Sequence, residues 1–359
     1  MSEAAPQKTD RAGGFDATPA DGYGSAGIAG RARRRLCVGL FVATAVLMWA
    51  GLAAGSDGWS LPSPGGWHTD VIASQIRAPR TLGAWLVGAL LGVAGAVAQG
   101  LFRNPLADPF LLGSASGASL AVVLVLAAGS LGGGVIGWSA SQGLLRLGLV
   151  GAAFVGAFAG VALTLALARG AQQTPRLLLA GVVVGVVLSA LGDLVSSAAP
   201  EALRGKQVFM LGTTGFLGWG SVAVLGAGVL LTVPIAWRLA RLLDALTLGE
   251  DSARSLGLAL ARWRLVLVAV LALATGIAVS QAGLVAFVGL AAPHLVRRCA
   301  PAPNGYTVLA SAAAGGVLLL AADVLARTLI APLELPVGVL TAVLGGAYLL
   351  WLLRQRRIR

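Results

Sequence analysis

At 359 residues, 57% hydrophobic and 11% charged, with mean hydropathy +0.86, the chain has less than half the charge of a soluble domain, about 25%. That balance excludes a soluble fold and points to a polytopic membrane protein. The net charge of +12 does not indicate nucleic acid as a partner, because Lys and Arg fall in short clusters between apolar runs, as membrane topology signals do.

Residues 1–30 are mostly Gly, Ala, Ser and Asp. With so little to bury, they are expected to form a disordered cytoplasmic tail, ahead of a single membrane domain over 31–359. "RARRR" (31–35) then precedes an apolar run over 36–54. The layout could pass for a signal peptide with a long n-region. The run is nevertheless long enough to cross a bilayer, which favours an uncleaved first helix. Cys37 and Cys299 are far apart, form no metal or redox pattern, and are read as buried spectators.

Further apolar runs follow at 81–101, 110–129, 147–168, 176–198, 221–240, 265–280, 283–296, 306–326 and 337–353. Lipid forces backbone polar groups to bond within their own segment, so each run is expected as a membrane helix. The fold class is therefore all-α, a polytopic bundle of about ten transmembrane helices. The stretch 265–296 reads as one long run or as two short spans broken near Gln281-Ala282-Gly283. The basic tail "RQRRIR" and "RARRR" both belong in the cytoplasm. Two cytoplasmic ends need an even number of spans, so the break is real.

This topology puts twenty of the 26 Lys and Arg inside and six outside: Arg77, Arg80, Arg146, Arg204, Lys206 and Arg327. "RAPR" (77–80) is the sharpest exception. Pro79 suits the first turn of a helix, yet a helix start is the positive end of the macrodipole and disfavours cations.

The remaining segments are structural in character. Gly88 with Gly92, Gly156 with Gly160, and Gly181 with Gly185 have the spacing that lets membrane helices approach closely. Asn104-Pro105 and Asp108-Pro109 enforce a break between the second and third spans. Residues 200–220 are too short to span and fit a re-entrant or surface helix. His68 and His294 are far apart, with no metal-ligand spacing. Gly205-Lys206 is followed by Gln207, so no phosphate-cradling loop is completed, and ATP-driven transport would need its ATPase on another chain. Asp323 and Glu334 lie near membrane boundaries and read as structural pairing, and His294 as a fixed interfacial side chain. Asp193 alone sits well inside a run, where ionisable groups are expensive and often functional.

Four longer segments resemble the FecCD family of bacterial ABC-importer permeases, which includes iron–siderophore, haem and cobalamin importers. They are "RAPRTLGAWLVGALLGVAGAVAQGLFRNPLADPFLLGSASGASLA" (77–121), "PRLLLAGVVVGVVLSAL" (175–191), "LGEDSARSLGLALARWRL" (248–265), and "GLVAFVGLAAPHLVR" (283–297) with "LAADVLARTLIAPLELPVGVLTAVLGGAYLLWLLR" (320–354). The resemblance implies a type II importer permease, paired as a homodimer or with a close relative in the bacterial cytoplasmic membrane. Two ABC ATPase subunits would sit below and an extracytoplasmic binding protein above. The chain would bind no cofactor and perform no catalysis; ATP and Mg²⁺ would be used by the partner ATPase. Arg77, Arg80 and Arg327 match positions that receive acidic side chains from the two lobes of the binding protein. The segment about 245–262 matches the coupling helices, with Leu248, Gly249, Glu250, Asp251, Arg254, Leu256 and Gly257 against the ATPase. Its charge order suits a short helix with its dipole, and Gly257 suits a helix end. Thr174 and Pro175 match the cytoplasmic gate, although Pro175 departs from the small hydroxyl residue of some relatives. An ion-gradient-driven secondary transporter would also explain ten spans and Asp193, but it leaves the coupling segment and the outside arginines without a role.

Overall fold

The computed structural model describes residues 22–55, 58–59, 71–131, 142–169, 174–249 and 259–356. Eleven helices follow one another among them: α1 (Gly22–Ala53), α2 (Ala78–Phe102), α3 (Ser114–Leu131), α4 (Gln142–Leu167), α5 (Thr174–Ala198), α6 (Pro200–Leu211), α7 (Trp219–Thr247), α8 (Leu260–Ala282), α9 (Val288–Cys299), α10 (Asn304–Thr328) and α11 (Val337–Arg356). Helix α1 begins at Gly22 and so takes in nine residues that composition assigned to the tail. Once the apolar segment is helical, each added residue gains a hydrogen bond without a new nucleation cost.

The ten predicted spans correspond in order to every helix except α6, the short connector expected over 200–220. Seven are long and apolar enough to cross a membrane, while α3 and α11 carry shorter apolar stretches. Helix α9 differs from expectation. Its 12 residues reach about 18 Å, short of a hydrocarbon core of about 30 Å. The preceding residues 283–287 are irregular and extend the segment without helix. Such backbone is tolerated at membrane depth only inside protein, and Val285 and Val288 are indeed buried.

The break at Gln281-Ala282-Gly283 is a junction of backbones. Thr213 N donates to Ala282 O at 2.8 Å and Leu284 N to Phe209 O at 2.9 Å. Gly283 (φ +69°) and Gly212 (φ +62°) adopt a conformation that side chains disfavour, which lets the α6–α7 link lie against the α8–α9 link.

Helix α2 is buried over almost its entire length and packs antiparallel against α10. Contact is backbone to backbone: a Cβ on Gly92 would lie 2.0 Å from Ser311 O, and one on Gly95 only 1.6 Å from Gly289 O of α9. The expected glycine contacts are present at Gly88 and Gly92 against α10, and at Gly156 and Gly160 against α3 and its approach. Gly181 likewise lies against Leu111 O, whereas Gly185 meets only the Ser116 hydroxyl. Without a hydrophobic drive between helices in lipid, this fit supplies the packing energy. Gly95→Ala should therefore destabilise the protein at the upper end of the about 1–3 kcal/mol typical of overpacking. Gly226→Ala, which opens on empty space, should leave the melting temperature in detergent unchanged.

Candidate functional site

Polar side chains gather at both ends of α2. At the end that charge predicts to be outside, Asp323 of α10 is fully buried between two arginines. Arg80 Nε donates to its Oδ1 at 3.1 Å, and Arg327, one turn along α10, donates to Oδ2. The Thr214 hydroxyl donates to Oδ1 as well. Arg80 Nη1 also forks onto both carboxylate oxygens of Glu334, at 2.9 and 2.8 Å. Two arginines and two carboxylates thus balance in charge.

The remaining donors explain why cations stand here. Arg327 Nη1 donates to Gly51 O at 3.0 Å, and Arg77 Nη1 reaches the carbonyls of Leu52 and Ala53, both at 3.4 Å. These are the last carbonyls of α1, which have no partner inside their own helix and form the negative end of its dipole. Two arginines therefore cap α1. Nor does the second helical segment start at "RAPR". It begins near Val71 and passes through a π-helical turn, Ile72–Arg77, so Arg77 lies more than a turn inside. Pro79 accounts for the wider turn, since it supplies no N–H and crowds the preceding backbone. In the π register it would have bonded Ser74 O, which instead accepts the Trp219 indole N–H at 3.0 Å.

Arg77, Arg80 and Arg327, expected to act together, stand at one end of the bundle as buried groups with partners of their own. Arg80 is 7% exposed and Arg327 1%. Glu334, partly open to solvent, is the accessible member of the cluster. The carboxylate Asp193 is paired as well, accepting from Lys206 of α6.

At the opposite end a second network ties four helices. Gln99 of α2 donates to Leu290 O at 3.1 Å and accepts from Arg297 of α9. Arg297 also reaches Asn304 Oδ1 at 3.3 Å. The Asn304 backbone and side-chain nitrogens both donate to Asp244 Oδ1 of α7, at 2.9 and 2.8 Å. Gln99, Arg297, Asn304, Asp244 and Arg103 line a cavity of about 470 Å³ that also includes Thr247 at the end of α7. Sequence reading missed Gln99, Asp244, Asn304 and Thr214. The available signals were an amide inside the 81–101 apolar run and a lone acid among the basic residues of 238–249.

Of the residues expected to face the ATPase, Leu248 is exposed and Gly249 has φ +105°; Glu250, Asp251, Arg254, Leu256 and Gly257 lie outside the described residues. At the start of α5, Thr174 is buried and Pro175 exposed. The turn before α3 is rigid as expected. Asn104 Oδ1 accepts from Leu106 N at 2.9 Å, and Asp108 Oδ1 from Phe110 N at 2.8 Å. Burial pushes the Asp108 carboxyl up, with the Phe110 N–H opposing it. His294 is fixed, edge-on to Tyr348 at 5.9 Å. The cysteines correct the expectation of burial: both are exposed, Cys37 on an outward face midway along α1 and Cys299 at the last residue of α9.

Removing one partner from a buried pair costs about 3–5 kcal/mol, because the charge left behind is unsolvated. Asp323→Ala should lose at least that much in a thermal melt, and Asp193→Ala, at the exposed pair, no more than about 1 kcal/mol.

The chain matches the model of the FecCD transport family over residues 36–355. It is 38% identical over 339 residues to the hemin transport system permease protein HmuU of Yersinia pestis, covering 92% of this chain and 99% of that one. To the vitamin B12 import system permease protein BtuC of Escherichia coli O9:H4 (strain HS) it is 38% identical over 328 residues, covering 90% and 95%. A solved metal-chelate type ABC transporter in an inward-facing conformation superposes with a TM-score of 0.79 at 26% identity, covering 90% of this chain and 99% of its own. With its multi-pass apolar helices and these matches, the chain belongs to the FecCD transport family and is the membrane permease subunit of an ABC importer.

Proposed function

We propose that two copies of this permease, or one copy and a close relative, enclose a pathway that carries a large metal chelate inward: haem, a corrinoid or an iron siderophore. The observation that carries this reading is helix α5. Only Thr174, Leu177, Gly181, Val184, Gly192 and Ser196 of its 25 residues are buried, while Leu179, Val182, Val186 and Leu194 stand open. A wide apolar wall of this kind suits one side of a pathway that a second copy completes. The two permease relatives act on hemin and vitamin B12 by name, and both substrates are metals held in a broad organic macrocycle.

The driving force would come from two ATPase chains beneath the end carrying Gln99 and Asp244, engaged through about 245–262 and consuming ATP and Mg²⁺. Thr174 and Pro175 at the foot of α5 would narrow the pathway on that side. Both termini would face the cytoplasm of a bacterial cell, across its cytoplasmic membrane, in keeping with the distribution of Lys and Arg.

A binding protein would dock at the Arg77, Arg80 and Arg327 end. The internal pairing suggests how: Glu334 occupies Arg80 Nη1 with both of its oxygens, where an incoming carboxylate could accept instead, and docking exchanges one for the other. Glu334→Gln should then tighten docking several-fold by freeing Arg80, while Arg80→Gln weakens it, with binding-protein capture measured at low and high salt. An unchanged affinity in both variants would remove this surface from consideration.

The function itself is tested by reconstituting the permease with its ATPase and binding protein and supplying haem, cobalamin and ferric siderophores in turn. One of these should stimulate ATP hydrolysis. Robust uptake driven by an ion gradient without ATP would overturn the reading in favour of a secondary transporter.

A further inference from the structure

Helix α7 carries two exposed tryptophans, Trp219 and Trp237. The helix between them rises about 27 Å at 1.5 Å per residue, close to a hydrocarbon thickness of about 30 Å. Outward-facing residues along it include Val224, Leu230 and Leu231. Indole rings at both ends of such a stretch mark the two headgroup levels, so residues just beyond Trp237 lie among lipid headgroups.

Those residues are Arg238 and Arg241, three apart and hence neighbours on one face. Both are exposed, and neither meets a carboxylate among the described residues. This differs from Arg80 and Arg327, which are held by Asp323. Together with Trp237, Asp244 and Gly305 they line a cavity of about 510 Å³ between α7 and the start of α10. Asp244 is the carboxylate in that lining, and its Oδ1 is already taken by both nitrogens of Asn304. An exposed stripe at helical spacing runs into the cavity mouth through Leu230, Pro234, Trp237 and Arg241.

We propose that this cavity binds the headgroup of an anionic phospholipid, its phosphate between Arg238 and Arg241 and its acyl chains along the stripe above. Basic pockets between membrane helices on the cytoplasmic side recognise such headgroups, and guanidinium suits the paired oxygens of a phosphodiester. Phosphate chemistry alone would also admit a free anion. The apolar stripe leading out of the cavity favours the lipid, since a soluble anion would have no use for it.

The test uses the full-length protein, delipidated in detergent and titrated with dioctanoyl phosphatidylglycerol or dioctanoyl phosphatidylcholine, with bound lipid counted by native mass spectrometry. Two surface arginines should give about a thirtyfold preference for phosphatidylglycerol. Arg238→Gln with Arg241→Gln should abolish that preference, Arg238→Lys with Arg241→Lys should keep most of it, and Arg354→Gln, also exposed at this end, should not alter it. These side chains are exposed, so the variants should fold, with the melting temperature as the check. Excess inorganic phosphate should not displace the lipid. Equal retention of the two lipids, an undiminished preference in the double Gln variant, or displacement by phosphate would each overturn the assignment.

Discussion

A single buried carboxylate organises one end of this bundle. Asp323 has no access to solvent, and a lone charge there would be prohibitive. It is tolerable because three donors meet it, from Arg80, Arg327 and Thr214. Each donor comes with an obligation elsewhere: Arg327 to the end of α1, Arg80 to Glu334, and Thr214 to the link after α6. One anion thereby sets the relative positions of α1, α2, α10 and the α6–α7 link. Such a network is a weak source of net stability, since an apolar replacement can do as well. Its contribution is register, because only one alignment of α2 on α10 satisfies every member.

Glycine packing in the middle of α2 and the polar networks at its ends reinforce one another. Gly88, Gly92 and Gly95 bring backbones to a distance at which any side chain would collide. That contact alone could slide, because glycine offers few features to lock. Arg80 with Asp323 at one end, and Gln99 with Arg297 at the other, prevent sliding where the helix middle cannot.

How much of this was legible in the sequence depended on how local each signal was. The order of the helices, the α8–α9 break and the proline turns after Asn104 and Asp108 follow from hydropathy and backbone chemistry and stand as expected, while α9 is shorter than a full span. The grouping of Arg77, Arg80 and Arg327 was also legible, through resemblance to the family. Their surroundings were not. Reading Pro79 as a first-turn proline placed "RAPR" at a helix start, whereas the chain tolerates Pro79 by widening one turn and continuing upstream. The puzzle of cations at a positive dipole end arose from that local view. The counterpart of Arg77 is the carboxyl end of α1, 24 or 25 residues away, and those of Arg80 are Asp323 and Glu334, 243 and 254 residues away; no spacing rule connects them. The inner network was illegible for the same reason: Gln99, Arg297, Asn304 and Asp244 span more than 200 positions and meet only once the helices are packed.

Burial divides the molecule unequally, and that division bears on movement. Helices α2, α8 and α10 are mostly enclosed, while α5 and α7 bury less than a quarter of their apolar windows. Packed cores rearrange between discrete arrangements and do not deform continuously, and the clamps at both ends of α2 raise the cost of any such step there. Helix α5 is held more loosely among the described residues: its polar links to neighbouring helices are an exposed ion pair to α6, between Asp193 and Lys206, and a hydroxyl contact between Ser189 and Ser116 of α3. Helix α7 is intermediate, anchored to the core through Asp244 and Asn304 near its last turn. A displacement arriving at Leu248 and Gly249 would meet that anchor first. On the function proposed above, the core would serve as a fixed frame against which α5 shifts, with Asp244 where that frame meets the proposed coupling segment.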